Sequence, residues 1–220
     1  MHLFVNLRGS KATVIFIQGF RKSHETWNVT ETKTKIMIES TMAKQINTIT
    51  IQFTDEDYVQ STTKVCEAIN NSIDPITIPK TNITIVAHSQ GCFYAIRLAE
   101  LYPDIYTKLL LLDPVMRDAP YLEQIKGSAL TAKPDSVEVA KFLLYDDLPD
   151  ENCLRAKIIV RVHLNVETDN EYLMNRLEYF NKLTNRNDKS RIVVHLKVGH
   201  MIHYSIPHVV IEAIRELYWI

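Results

Sequence analysis

Hydrophobic and polar positions along this chain fall into two alternating patterns. Short β-branched runs occupy residues 3–7, 12–17, 48–53, 82–87, 108–113, 156–164 and 191–198. Several are apolar on consecutive residues, the pattern of strands buried on both faces of a parallel sheet. Between them, apolar residues recur at helical spacing: Tyr58, Thr62, Val65 and Ile69, then Ala95, Leu98, Ala99 and Tyr102. Leu173, Leu177 and Phe180 repeat the stripe, as do Val210, Ala213, Ile214 and Leu217. The pattern over 34–46 is a weaker helix, since Ser40 falls on its apolar face. Pro75 and Pro79 break the chain before the fourth run, and Pro103 stops the helix that begins near Gln90. This alternation predicts the α/β class: a mostly parallel central sheet of about seven strands, with right-handed crossovers and helices on both faces.

One stretch breaks the alternation. Residues 115–152 hold Pro120, Pro134 and Pro149 and only a short amphipathic piece at 137–144. A connection this long is usually functional, and we read it as a lid-like excursion above the carboxyl edge of the sheet. The 220 residues otherwise suit a single domain with one sizeable core.

Composition removes several function classes. With 25 basic and 26 acidic side chains and no block of like charge, a nucleic-acid footprint is disfavoured. No apolar run reaches the roughly 18 residues of a membrane span, and the N-terminus lacks a basic-then-apolar signal pattern. Cys66, Cys92 and Cys153 are odd in number and without CxxC spacing, so they read as buried small side chains rather than a disulfide or zinc framework. The expectation is a soluble, cytoplasmic protein. Glycine is scarce: five occur, where average usage predicts roughly fifteen. Each should therefore stand where the backbone has little alternative.

The strongest chemical signal follows the fourth run. A buried strand passes through Ala87-His88-Ser89-Gln90-Gly91 into a helical pattern. A sharp strand-to-helix turn of this kind needs small residues beside the serine, and it lifts the hydroxyl above the sheet at the positive end of a helix. The segment resembles the nucleophile elbow of the α/β-hydrolase superfamily, with Ala87 in place of the first glycine. The resemblance extends along most of the chain. Ile17-Gln18-Gly19-Phe20 is similar to the superfamily's oxyanion loop, with Gln18 where histidine is usual, and the Ser23-His24-x-x-Trp27 continuation also matches. Trp27 is read either as a pocket border or as core. Val198-Gly199-His200, at the end of the last run, resembles the turn that carries the superfamily's general base.

The resemblance implies a serine hydrolase with Ser89 as nucleophile and His200 as base. It implies an oxyanion hole from the backbone N–H groups of Phe20 and Gln90. His203 competes with His200 but starts the last helix and is read as lining or capping the site; His88 is assigned a packing role, His163 lies in a strand, and His195 points to the opposite face from its strand neighbours. The superfamily's order of Ser, acid, His places the acid after the sixth run, where Asp169 fits best. Glu167 and Asp113 are the alternatives. The expected substrate is a small acyl compound, a carboxylic ester first, with no metal or organic cofactor. A thioesterase or other acyl hydrolase is the alternative, as is a non-catalytic relative that uses the pocket for ligand binding or protein interaction.

Overall fold

The computed structural model of the protein describes residues 1–19, 27, 38–58, 60–76, 78–114, 153–166 and 171–218. The excursion at 115–152 lies outside the described residues, as do Phe20, Glu167 and Asp169. All seven β-branched runs form strands: β1 (His2–Asn6), β2 (Thr13–Ile17), β3 (Asn47–Gln52), β4 (Ile83–His88), β5 (Tyr106–Leu112), β6 (Ile159–Val166) and β7 (Arg191–Leu196). The described helices are α1 (Ile38–Met42), α2 (Asp55–Tyr58), α3 (Thr62–Ile73), α4 (Gly91–Leu101), α5 (Glu171–Thr184), α6 (Ile202–Ser205) and α7 (Pro207–Tyr218). Among the described residues no helix is long and apolar enough to cross a membrane.

The strands form one sheet in the order β1-β3-β2-β4-β5-β6-β7. β1 runs antiparallel to β3, and the remaining pairs are parallel. Every residue of β2 and β4 is buried, as continuous apolar runs require at the middle of such a sheet. Their side chains alternate between two cores. Ile15, Ile17, Leu109, Leu111 and Val162 face Val65 and Ile69 of α3, Leu98 of α4 and Phe180 of α5. Val14, Phe16, Val86 and Leu110 face Met42 of α1 and Val210, Ile214 and Leu217 of α7. Trp27 belongs to this second core, with its ring 5.1 Å from Phe16 and 4.8 Å from His203.

Two element boundaries depart from the sequence pattern for local reasons. The Tyr58–Ile69 stripe is divided, because Tyr58 ends the short α2. α3 starts at Thr62, where the extended Ser61 caps it by accepting the Lys64 N–H at 3.4 Å. β7 stops at Leu196 because Lys197 enters the left-handed region at φ 55°. The next two N–H groups, of Val198 and Gly199, then donate to the Asn165 side chain at 3.0 and 3.1 Å instead of to the β6 backbone.

The chain reverses its direction of winding between β2 and β4, the switch point at which open α/β sheets leave a crevice beyond their carboxyl ends. Close approach there depends on Gly91. A Cβ at this position would lie 2.6 Å from the Gln18 carbonyl oxygen and 2.7 Å from that of Ile17. Both are backbone atoms that cannot swing aside. We therefore expect Gly91→Ala to lower stability by about 1–3 kcal/mol, read as a fall in the urea midpoint. An unchanged midpoint would show that β2 and α4 are not so closely apposed.

Away from the crevice, His163 on β6 is buried with its Nδ1 3.0 Å from His195 Nε2 on β7. Arg161 and Arg191 flank the pair and share Glu216 of α7. Burial, then His195 and the two arginines, push the His163 imidazole down to about 4. An unfolded histidine takes up its proton near pH 6.5. The unfolded chain thus binds a proton that the folded one refuses between pH 6.5 and about 4. Stability from this site is complete above that window and is lost as pH falls through it, by up to about 3 kcal/mol. Urea midpoints measured from pH 7 to 4.5 should fall less steeply in His163→Gln than in the wild type, and parallel slopes would refute the assignment.

Candidate active site

Three parallel strands end at the same edge with the same backbone irregularity. Among the described residues, the non-glycine positions with positive φ are Ser89 (54°), Asp113 (42°) and Lys197 (55°). Each immediately follows its strand: β4, β5 and β7 respectively. Such conformations cost about 1–3 kcal/mol each and persist where the surroundings over-determine them. Here the sheet does so, because its ladder continues one rung past each strand. Ser89 N–H donates to Leu112 O at 3.0 Å, Asp113 N–H to His163 O at 2.7 Å, and Lys197 N–H to Val166 O at 2.9 Å.

These turns bring together side chains that are far apart in sequence. His200 Nε2 lies 2.9 Å from Ser89 Oγ, and His200 Nδ1 lies 2.6 Å from Asp113 Oδ2. A carboxylate only accepts, so Nδ1 carries the hydrogen and Nε2 is left to accept from the serine hydroxyl. Ser89 and Asp113 are buried, whereas the His200 side chain is 46% exposed. The arrangement opens to solvent at the imidazole.

The second oxygen of Asp113 is also occupied. Asn165 N–H donates to Oδ1 at 3.0 Å, and the Arg176 guanidinium, from α5, donates to the same atom at 2.5 Å. Arg176 also donates to the Pro114 carbonyl at 3.1 Å, and both members of the ion pair are buried. Burial alone would raise the Asp113 carboxyl, but the His200 hydrogen bond and the Arg176 charge outweigh it and hold it below its ordinary value. Asn165 works in two directions. Its backbone holds the carboxylate, and its side chain holds Val198 and Gly199 just before His200.

Beneath the imidazole lies a bed of histidines. The His88 ring is 4.7 Å from that of His200 and 4.5 Å from that of His203. Burial, reinforced by His203 and His200, keeps His88 well below the usual imidazole value, so it is neutral. Its Nε2–H donates to the His200 carbonyl at 2.9 Å and pins the backbone of that residue to β4. Gly19 approaches from β2: a Cβ there would stand 3.0 Å from Ser89 Cβ and 3.1 Å from His88 Nδ1. Gln90 is the cap residue of α4, and the Cys92 and Phe93 N–H groups that follow donate to the Ser89 and Gln90 carbonyls at 3.1 and 3.0 Å. Cys92, three residues past Ser89, is held as an unreactive thiol: burial pushes it well up and its S–H donates to Ala87 O at 3.4 Å.

Ser89 and His200 are thus brought within hydrogen-bond distance, Gly19 closes on Ser89, and Gln90 is the next residue along the chain. Of the three candidate acids, the hydrogen bond from His200 is to Asp113, the last choice on sequence. Asp169 and Glu167 lie outside the described residues. Phe20 lies outside them as well. Sequence reasoning missed Arg176 and Asn165 altogether, and it gave His88 packing only. Arg176 had left a signal: it stands between Leu173 and Leu177 on the apolar stripe of its helix, where a charge needs a buried partner.

No family model matches the chain, and no curated protein is significantly similar to it in sequence. Solved structures are similar over nearly its whole length. An esterase from Thermogutta terrifontis covers 99% of this chain and 93% of its own, with TM-score 0.68 and 16% identity. A structure from a study of carboxylesterases of the thaumarchaeon Nitrososphaera gargenis covers 98% and 92%, with TM-score 0.74 and 10% identity. Carboxylesterase CesB of Bacillus subtilis covers 98% and 86%, with TM-score 0.67 and 11% identity. At identities this low the likeness is one of fold, and the fold of this chain is that of the α/β-hydrolases.

Proposed function

We propose that this protein is a serine hydrolase that cleaves carboxylic esters, with Ser89, His200 and Asp113 as its triad. The observation that carries the reading is the unbroken hydrogen-bond chain from Ser89 Oγ through His200 to Asp113, at 2.9 and 2.6 Å. Asp113 takes the acid's part in place of Asp169. Esters are favoured as the substrate class because similar structures carry the names esterase and carboxylesterase.

In this mechanism Ser89 Oγ attacks the acyl carbon while its proton passes to His200 Nε2. The carbonyl electron pair moves onto oxygen, which the N–H groups of Gln90 and Phe20 stabilise. The C–O bond to the alcohol then breaks, and His200 returns the proton to the departing oxygen. Water, deprotonated by the same imidazole, attacks the acyl-enzyme and frees the acid and Ser89. Asp113 holds the Nδ1–H tautomer and stabilises the imidazolium that forms twice in each cycle.

A fluorophosphonate probe tests the reading directly, with the labelled peptide located by mass spectrometry. Labelling is expected on Ser89, absent in Ser89→Ala, and slowed about a thousandfold or more in His200→Ala. Asp113→Asn should slow it comparably, and Asp169→Ala should leave it near the wild-type rate. A folded wild-type protein that does not label would instead favour a ligand-binding module. Turnover of a thioester panel with esters untouched would replace the substrate class.

A further inference from the structure

We propose that Arg176 is a positioning residue that acts on the base through Asp113, holding the carboxylate's orientation and offsetting its charge. The inference rests on the triad reading above. It starts from a feature that a triad does not by itself require, namely a buried cation on the acid. Asp113 has two oxygens, and they are used for different purposes. Oδ2 receives the His200 Nδ1–H, while Oδ1 receives Arg176 and the Asn165 N–H. With Oδ1 taken on two sides, the carboxylate plane cannot rotate away from the imidazole. The second Arg176 contact, to Pro114 O, fixes the guanidinium against the turn that carries Asp113.

The charge has a separate consequence. A bare carboxylate beside His200 stabilises the imidazolium strongly, which helps proton abstraction but also favours resting protonation, in which the base is already used up. A guanidinium on the far oxygen reduces that stabilisation. It leaves the base free to work at lower pH and to surrender its proton more readily to the departing alcohol. The other groups in contact with His200 are Ser89 and His88 from the end of β4; His203 of α6 packs on His88, and Lys197 lies three residues before His200 in the chain. Glu167 and Asp169 precede α5. All are common to the proteins compared below, so they cancel in the difference.

The test is the pH dependence of fluorophosphonate labelling of Ser89 in the wild type, R176M and R176K, with thermal melts to verify folding. Removing the cation should move the acid limb of the R176M profile upward by about one pH unit, as expected for a unit charge acting across several ångströms of partly buried medium. R176K keeps the charge but not the planar fork, so its acid limb should stay at the wild-type position while labelling slows several-fold. A purely structural role would lower the rate uniformly, and superimposable acid limbs in the wild type and R176M would overturn the proposal. If R176M does not fold, R176Q replaces it. If neither folds, R176K decides alone, because a displaced limb with the charge retained contradicts the proposal. Absence of labelling in the wild type overturns the triad reading and this one together, whereas coincident limbs in labelling proteins overturn this one only.

Discussion

Among the described residues, three separate elements meet at the carboxyl edge of this sheet on the carboxylate of Asp113. It is buried, so its charge is tolerable only because hydrogen bonds and a cation surround it. Those partners come from three places: the imidazole from the turn after β7, the backbone N–H from the end of β6, and the guanidinium from α5. One side chain thereby ties together segments separated by up to 87 residues. The cost of leaving any of its lone pairs unmet is what makes the arrangement specific rather than merely compact.

The sheet supplies the accuracy. Because its ladder runs one rung beyond β4, β5 and β7, the strained residues Ser89, Asp113 and Lys197 are each held by a backbone hydrogen bond. A rigid edge with left-handed turns lifts side chains off the sheet in reproducible directions. The same edge is crowded from below. Gly19 and Gly91 let β2 and α4 close on the serine, and His88 fastens the backbone of His200 to β4. Four pieces of chain converge within a few ångströms.

Much of this was legible from residue order. The seven strands announced themselves through β-branched runs, and their alternating side chains divide into the two cores that the period of two requires. Ser89 and His200 were legible because their signals are local: a strand, a small residue and a turn, all contiguous. Glycine scarcity sharpened them, since Gly19, Gly91 and Gly199 stand beside Ser89 and His200 at the ends of β2, β4 and β7. Element ends were less legible where a side chain competes with the ladder. Asn165 captures the N–H groups of Val198 and Gly199, and no periodicity around β7 encodes that capture.

The sequence by itself determined the class of fold and the order of strands and helices along the chain, and it singled out Ser89 and His200 from their immediate neighbours. Only the tertiary structure decided which carboxylate meets the imidazole. Asp113, Glu167 and Asp169 are chemically near-equivalent and each ends or follows a strand, so residue type and spacing cannot rank them. The choice of Asp113 depends on distances across the sheet, on the Asn165 N–H, and on a guanidinium 63 residues further along the chain. A buried charge is stabilised by the partners that folding brings to it, and those partners exist as a set only once the chain has closed.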